Sequence, residues 1–223
     1  MRPDFKTLVF TTSIAGLLLG GVALAQPVPG APPVAGTIQS FDGKTLVVAA
    51  TGAAPVSLTV SPTTRITVNV AKTVADIKPG DFIASGGTRG PDGVLRANEI
   101  RIFSAPGGEG QFPMAQPGQT MTNATVKEVM TDATVKQVGG GKAPVIKLTF
   151  HGAGAPGSAN CTGRSADAPG GAGKGCIGET EFEVPANVKV VAQLPGDVSM
   201  LKPGAKVSVG AANGAATRIT ISQ

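Results

Sequence analysis

The sequence predicts an all-β protein, two small β-barrels in tandem behind a signal peptide, and three observations carry that reading. Val, Thr and Ile recur in short alternating runs broken by Gly, Pro and Asp, as in pleated strands joined by tight turns. A Lys-Pro-Gly turn occurs twice, at Lys78-Pro79-Gly80 and Lys202-Pro203-Gly204, with matching hydrophobic phase on both sides. The N-terminus has the form of an export signal.

In order along the chain, the signal comes first. Arg2 and Lys6 precede a long apolar run, and Ala23 and Ala25 supply the small residues of a signal peptidase site before Gln26. Residues 1–25 therefore read as a cleaved signal peptide. An uncleaved anchor is opposed by Gly16, Gly20, Gly21 and the Ala-Leu-Ala end. Residues 26–33 are a proline-rich tether, too poor in donors for helix or ladder. No later stretch is long enough to span a membrane, so the expected location is the periplasm or the medium.

Strands are expected from residue 34 onward. "GTIQSFDGKTLVVAA" reads as two strands around an Asp42-Gly43 hairpin turn. "VSLTV" alternates through Val56, Leu58 and Val60, and "RITVNV" through Ile66, Val68 and Val70. A helical turn or loop fits Thr73 to Asp76. Pro79-Gly80 then suits the centre of a type II turn, because proline fixes one φ and glycine supplies the positive one. "DFIASGG" and, after an Asp92-Gly93 turn, "GVLRANEIRIF" complete the set. A sheet this short covers its edges best by curling, which predicts a first small barrel over 34–103.

Residues 104–122 are dense in Gly and Pro and read as a linker. A diverged second barrel is expected over 123–223. Val60 corresponds to Val184, Arg65 to Lys189, Ile66 to Val190, Ile77 to Leu201 and Ile83 to Val207, all 124 residues apart; Ile100 falls against Ile219 after a shorter hairpin. Phase matters more than identity here, since a one-residue slip turns every inward side chain outward. "ATVKEV" at Ala124 has a local echo, "ATVKQV", at Ala133.

"GTIQSFDGKTLVV", "DIKPGDFIASGG" and "DGVLRANEIRIF" together resemble a family of exported bacterial domains of unknown function with an oligonucleotide-binding (OB)-like small barrel. The likeness covers roughly Val34 to Phe103, with a diverged copy from Thr125 to Ser222 that carries a long insertion. It implies an OB-like, β-rich, exported protein and brings no catalytic residues with it.

The residues themselves narrow the chemistry. The formal charge of +5 is spread along the chain, Trp and Tyr are absent, and the strand Phe residues suit core packing, so the stacking platforms and cationic groove of a nucleic-acid binder are missing. The insertion from His151 to Glu179 holds the single histidine and both cysteines. In an oxidising compartment Cys161 and Cys176 are expected to form a disulfide that closes an exposed loop. The competing reading makes His151, Cys161 and Cys176 a soft-metal site for copper or zinc, with spacings far from close zinc pairs. "GGAGKGC" departs from a phosphate loop at Ala168 and Gly175. Asp76, Asp81, Asp92, Asp132 and Asp197 sit at turns, where Asp caps backbone amides, and His151 near Ser158 or Ser165 has no nucleophile motif. The expected role is a non-enzymatic periplasmic or envelope protein without a cofactor, binding an envelope protein or a small ligand or serving structurally.

Overall fold

The computed structural model describes residues 32–130 and 143–223; the expected signal, most of the tether, Asp132 and the echo at Ala133 lie outside them. The protein is all-β. Six strands, β1 (Val34–Phe41), β2 (Thr45–Ala50), β3 (Val56–Thr59), β4 (Arg65–Lys72), β5 (Phe82–Arg89) and β6 (Leu95–Phe103), match the runs expected in the first half. They are followed by β7 (Gly110–Pro113), β8 (Gln119–Met130), β9 (Val145–His151), β10 (Gly163–Arg164), β11 (Ile177–Glu183), β12 (Lys189–Pro195), β13 (Lys206–Ala212) and β14 (Ala215–Ser222). A 3-10 turn stands at Val74–Asp76, where the sequence allowed one, and another at Val198–Met200. No helix of the described residues is long and apolar enough to cross a membrane.

The strands enclose two separate apolar cores, and neither is confined to one half of the chain. The first contains Ile38, Leu46, Val48, Leu58 and Ile66 from β1 to β4, together with Val207, Val209, Ile219 and Ile221 from the C-terminal hairpin. Around it β1, β2, β3, β14 and β13 close into a ring, antiparallel except where β3 meets β14 in parallel at Thr59 and Ala215. That is the strand order of an OB-like barrel. The second core contains Ile83, Leu95 and Ile100 from β5 and β6, with Val126, Ile146, Leu148, Phe150 and Phe182 from later strands. Its ring is β8, β9, β11, β6 and β5, again parallel only between β11 and β6, at Glu183 and Arg96.

The expectation of consecutive barrels over 34–103 and 123–223 is thereby corrected: the two closing hairpins are exchanged. The matched positions identify equivalent strands correctly, but an apolar phase does not say which hairpin closes which barrel, because the interior contacts are the same either way. The route between β4 and β5 decides it. After the 3-10 turns at Val74–Asp76 and Val198–Met200, the repeated Lys-Pro-Gly turn directs the next hairpin onto the other barrel. Gly80 N–H donates to Val126 O at 2.9 Å and Val126 N–H to Asp81 O at 2.8 Å; Gly204 N–H donates to Ile38 O and Ile38 N–H to Ala205 O, both at 2.9 Å. Both glycines hold φ near +90°, at +91° and +88°, as the turn requires.

The join has the same reciprocity. β4 and β12 pair antiparallel with Asn69 opposite Gln193, residues 124 apart in sequence, and the Gln193 amide donates to Asn69 Oδ1 at 3.5 Å. β4 also runs parallel to β14, and β12 parallel to β6, so each extends one ring into the seam. The irregularities coincide as well. Bulges fall between Ile38 and Ser40 and between Val126 and Glu128 on the first strands, and at Gly86/Gly87 and Gly210/Ala211 in the closing hairpins.

The interval 104–122, expected to be a linker, is a further correction. Within it β7 pairs antiparallel with the start of β8, and β10 from the insertion pairs with β7. The abundant Gly and Pro serve tight geometry here. Gly110, at φ +146°, lies against the backbone of Gly163 with no room for a Cβ, and Gln119 N–H donates to Gln116 O to close the Pro117-Gly118 turn.

Candidate functional site

The elaborations of the protein gather on the second barrel. Cys161 and Cys176 are joined, with Cα atoms 5.6 Å apart. The bond is not at the surface: Cys176 is fully buried and Cys161 packs against the second core, which corrects the expectation that it merely shapes an exposed loop. The reason is the path of the insertion. Gly152 N–H donates to Cys176 O, Ala153 N–H to Thr162 O and Cys176 N–H to Gly154 O, so β9 and β11 continue past their ends into a cap over the barrel. Within the loop that the bond closes, Ser165 N–H donates to Glu109 O, which fastens the insertion to the residue before β7.

The soft-metal alternative loses its donors to this arrangement. Both sulfurs are spent in the disulfide, and His151 turns to a carboxylate: its backbone N–H donates to Glu109 Oε2 at 2.9 Å and its Nδ1 bonds the same oxygen. No group of three His, Cys, Asp or Glu side chains suited to a metal occurs among the described residues. The two serines considered beside His151 lie in other contacts: Ser158 Oγ donates to Ala155 O, and Ser165 is buried. The turn aspartates do what the sequence suggested. Asp76, Asp81, Asp92 and Asp197 accept from the backbone N–H groups of Thr73, Lys78, Val94 and Ser199. Those amides hold the carboxyls of Asp76 and Asp42 below the usual range, Asp42 accepting from Thr45 and Lys44.

The second barrel carries several clefts: two of about 400 and 320 Å³, beside Pro185 and beside Arg164, and two larger ones. One, of about 660 Å³, lies between the β5–β6 turn and the ends of β9 and β11, with Arg89, Val94, Val145, Thr180, Glu181 and Glu183 on its walls. Its ionic groups are engaged: Glu183 with Arg96 at 3.2 Å, Glu181 with Lys147 at 3.6 Å, and Arg89 with Gly93 O at 2.6 Å. Lys127 and Glu179, 2.6 Å apart, continue the charge ladder across β8 and β11. Such exposed pairs each contribute roughly 0–1 kcal/mol and leave a solvated face.

The other cleft, of about 580 Å³, is on the outer face of β5, β6, β7 and β8. Ala84 and Gly86 form its floor, and Phe103, Phe112, Met114 and Met121 its apolar walls. The rim is polar but balanced. Arg101 pairs with Glu99 at 2.7 Å, and the Arg164 guanidinium sits 4.7 Å from the centre of the Phe112 ring. Met114 remains 40% exposed, and Phe103, Phe112 and Met121 are half-buried. This volume and lining belong to the range of small-molecule sites.

No protein-family model, curated protein or solved structure matches the chain.

The cleft joins residues that the sequence reading assigned elsewhere. Phe103 was read as core packing and Phe112 and Met114 fell in the presumed linker, whereas Phe82, Phe150 and Phe182 are buried. The one available signal was "QFPM", an apolar island inside a Gly/Pro-rich interval where a solvated linker needs none.

Proposed function

We propose that the chain is an exported, non-enzymatic binding protein of the bacterial envelope, built by duplication of one OB-like unit, in which the first barrel is scaffold and the second presents the binding surface. Membership of the exported domain family that the sequence resembles is part of this reading. The observation that carries it is the one-sided placement of every elaboration. The first barrel turns through Asp42-Gly43 and Asn213-Gly214, while the second has a β7 strand, a disulfide-closed cap and both larger clefts. A disulfide in a core supports a compartment where cysteines oxidise, and the Ala23/Ala25 pattern supports cleavage on the way there.

The test is cell fractionation of the full chain combined with site-specific photo-crosslinking. The envelope or external fraction should yield a chain starting at Gln26. A photo-reactive side chain at Met114 should capture a partner that the same side chain at Thr220, on the outer face of the first barrel, does not. A chain retained in the cytoplasm, or equal capture at both positions, defeats the reading.

A further inference from the structure

The repeated architecture provides an internal control for the Phe/Met cleft. Because β5–β6 and β13–β14 pair in the same register, each position of the floor and of the β6 wall has a counterpart on the first barrel, while the β7 wall has none. Ala84 pairs with Arg101 as Ser208 pairs with Thr220, Gly86 with Glu99 as Gly210 with Arg218, and Phe82 with Phe103 as Lys206 with Ser222. Whatever an OB-like barrel of this kind needs on its outer face must therefore be met by Ser208, Thr220 and Ser222. Apolar lining is not such a need. The Phe and Met side chains on the second barrel are an addition to the scaffold, and they stay partly exposed, Met114 most of all.

Resting on the binding role proposed above, we infer that this cleft is a binding site for an uncharged, flat, mostly apolar small molecule that carries one hydrogen-bond donor. Four features select that class. The floor is small and flat, since Ala84 and Gly86 keep β5 free of bulk and a Cβ on Gly86 would meet only Met114 Sδ, at 3.8 Å. The walls combine rings, which stack on flat ligands, with thioethers, which adjust to irregular ones. The charges near it are already balanced: Arg101 is held by Glu99, and Arg164 lies on Phe112, so an ionic ligand would be desolvated without a free counter-charge.

The polar groups supply the fourth feature. Asn98 exchanges both its amide groups with Thr88, Nδ2 donating to Thr88 Oγ1 at 2.9 Å and Thr88 Oγ1 contacting Oδ1 at 3.3 Å. Asn123 is different. Its Nδ2 donates to Gly108 O at 3.0 Å, and its Oδ1 accepts nothing from the described residues, leaving an acceptor at the cleft wall. A ligand donor there would complete the amide.

The chain lacks Trp and Tyr, so an added dye is read against almost no intrinsic emission. The experiment titrates the full exported protein with N-phenylnaphthylamine, neutral and flat with one N–H, and separately with anilinonaphthalene sulfonate, its anionic relative. The expected result is saturable binding of the neutral dye at one site, and binding of the anion at least tenfold weaker. Gly86→Leu fills the floor and should abolish the signal. Gly210→Leu, at the counterpart position, places a Cβ whose nearest neighbours are Thr217 and Arg218 atoms at 3.5 Å or more, and should leave it intact. Asn123→Ala should weaken the neutral dye about fivefold, one hydrogen bond's worth. Equal binding by wild type and Gly86→Leu overturns the site. Tighter binding of the anion that is still lost in Gly86→Leu overturns the neutral ligand class and leaves the binding surface standing. No saturable binding of either dye overturns the cleft itself, while the photo-crosslinking result still decides the broader role.

Discussion

Two barrels of one chain share their ring order, bulge positions, turn hydrogen bonds and the five-residue links from β3 to β4 and from β11 to β12, yet differ in the strand, cap and hairpin lengths added outside the ring. The first turns through two short glycine turns; the second has a cap over one end and a sixth strand, β7, paired to the edge of β8. Even their interiors differ at equivalent positions. Phe182 in the second core stands where Leu58 stands in the first, and the hairpin bulge beneath it is Gly87 where the first has Ala211. A ring that fills its core either way tolerates elaboration outside it.

The comparison breaks most severely if the exchange of hairpins is removed. Ending the chain at Gly204 deletes Val207, Val209, Ile219 and Ile221 from the first core while leaving residues 34–103 untouched. Each such side chain contributes about 1.5–3 kcal/mol by burial, so the four together rival the roughly 5–15 kcal/mol that holds a whole domain. Hydrogen exchange in β1 and β2 should lose its protection entirely. Retained protection there would mean that β5 and β6 can close the first barrel, as consecutive barrels would.

Removing the disulfide should act on one barrel only. Cys161 and Cys176 close a loop of 15 residues' separation, for which chain entropy predicts about 3 kcal/mol. Replacing both with Ala should lower the melting temperature by roughly 6–12 °C for a chain of this size. Exchange should rise first in β9 and β11, with β1 and β2 unchanged. An equal rise in both barrels would show that they unfold as one unit.

The Phe182/Gly87 and Leu58/Ala211 pairs allow a finer cut. A Cβ on Gly87 would enter the Phe182 ring, so Gly87→Ala should cost about 1–3 kcal/mol by overpacking. Phe182→Leu in the same chain recreates the first barrel's combination and should recover at least about 1 kcal/mol of that loss in a double-mutant cycle. Chemical denaturation of the four proteins measures it. Additive losses would show that the two barrels do not balance these positions against each other.

How far the sequence could be read follows from the same contrast. Strand positions, the 3-10 turn, both Lys-Pro-Gly turns and the disulfide partners were legible because they depend on local chemistry: alternation, fixed proline φ, glycine's positive φ and a pair of cysteines. The hairpin exchange was not, since Ile83 and Val207 have the same apolar phase whichever barrel they enter. The cleft was hidden for a related reason. Its walls come from β6, β7 and β8, and β7 was masked by a Gly/Pro density that signals a linker in isolation but here permits the close approach of Gly110 to Gly163.

The smallest expected difference lies in the turns of the two closing hairpins. Asp92 accepts from Arg96 Nη1 at 3.0 Å and Nη2 at 2.7 Å, and from Val94 N–H at 3.1 Å. The Arg96 hydrogen bonds, with the Val94 amide second, lower its pKa from 3.8 to about 2. Since the folded value lies below the unfolded one, the contribution is fully present above the unfolded value and fades as pH falls from 3.8 toward about 2. The pair is solvent-accessible, with Asp92 exposed and Arg96 half-buried, so salt should shrink the effect further. The counterpart turn, Asn213-Gly214, and the rest of β13 and β14 carry no carboxylate side chain. Amide resonances of Val94 and Arg96 should therefore move with a midpoint near the low end of that window, and those of Asn213 and Gly214 should show no comparable step. Asp92→Asn should erase the step without affecting the first barrel. A midpoint at the ordinary aspartate value would show that Arg96 does not hold the carboxylate in solution.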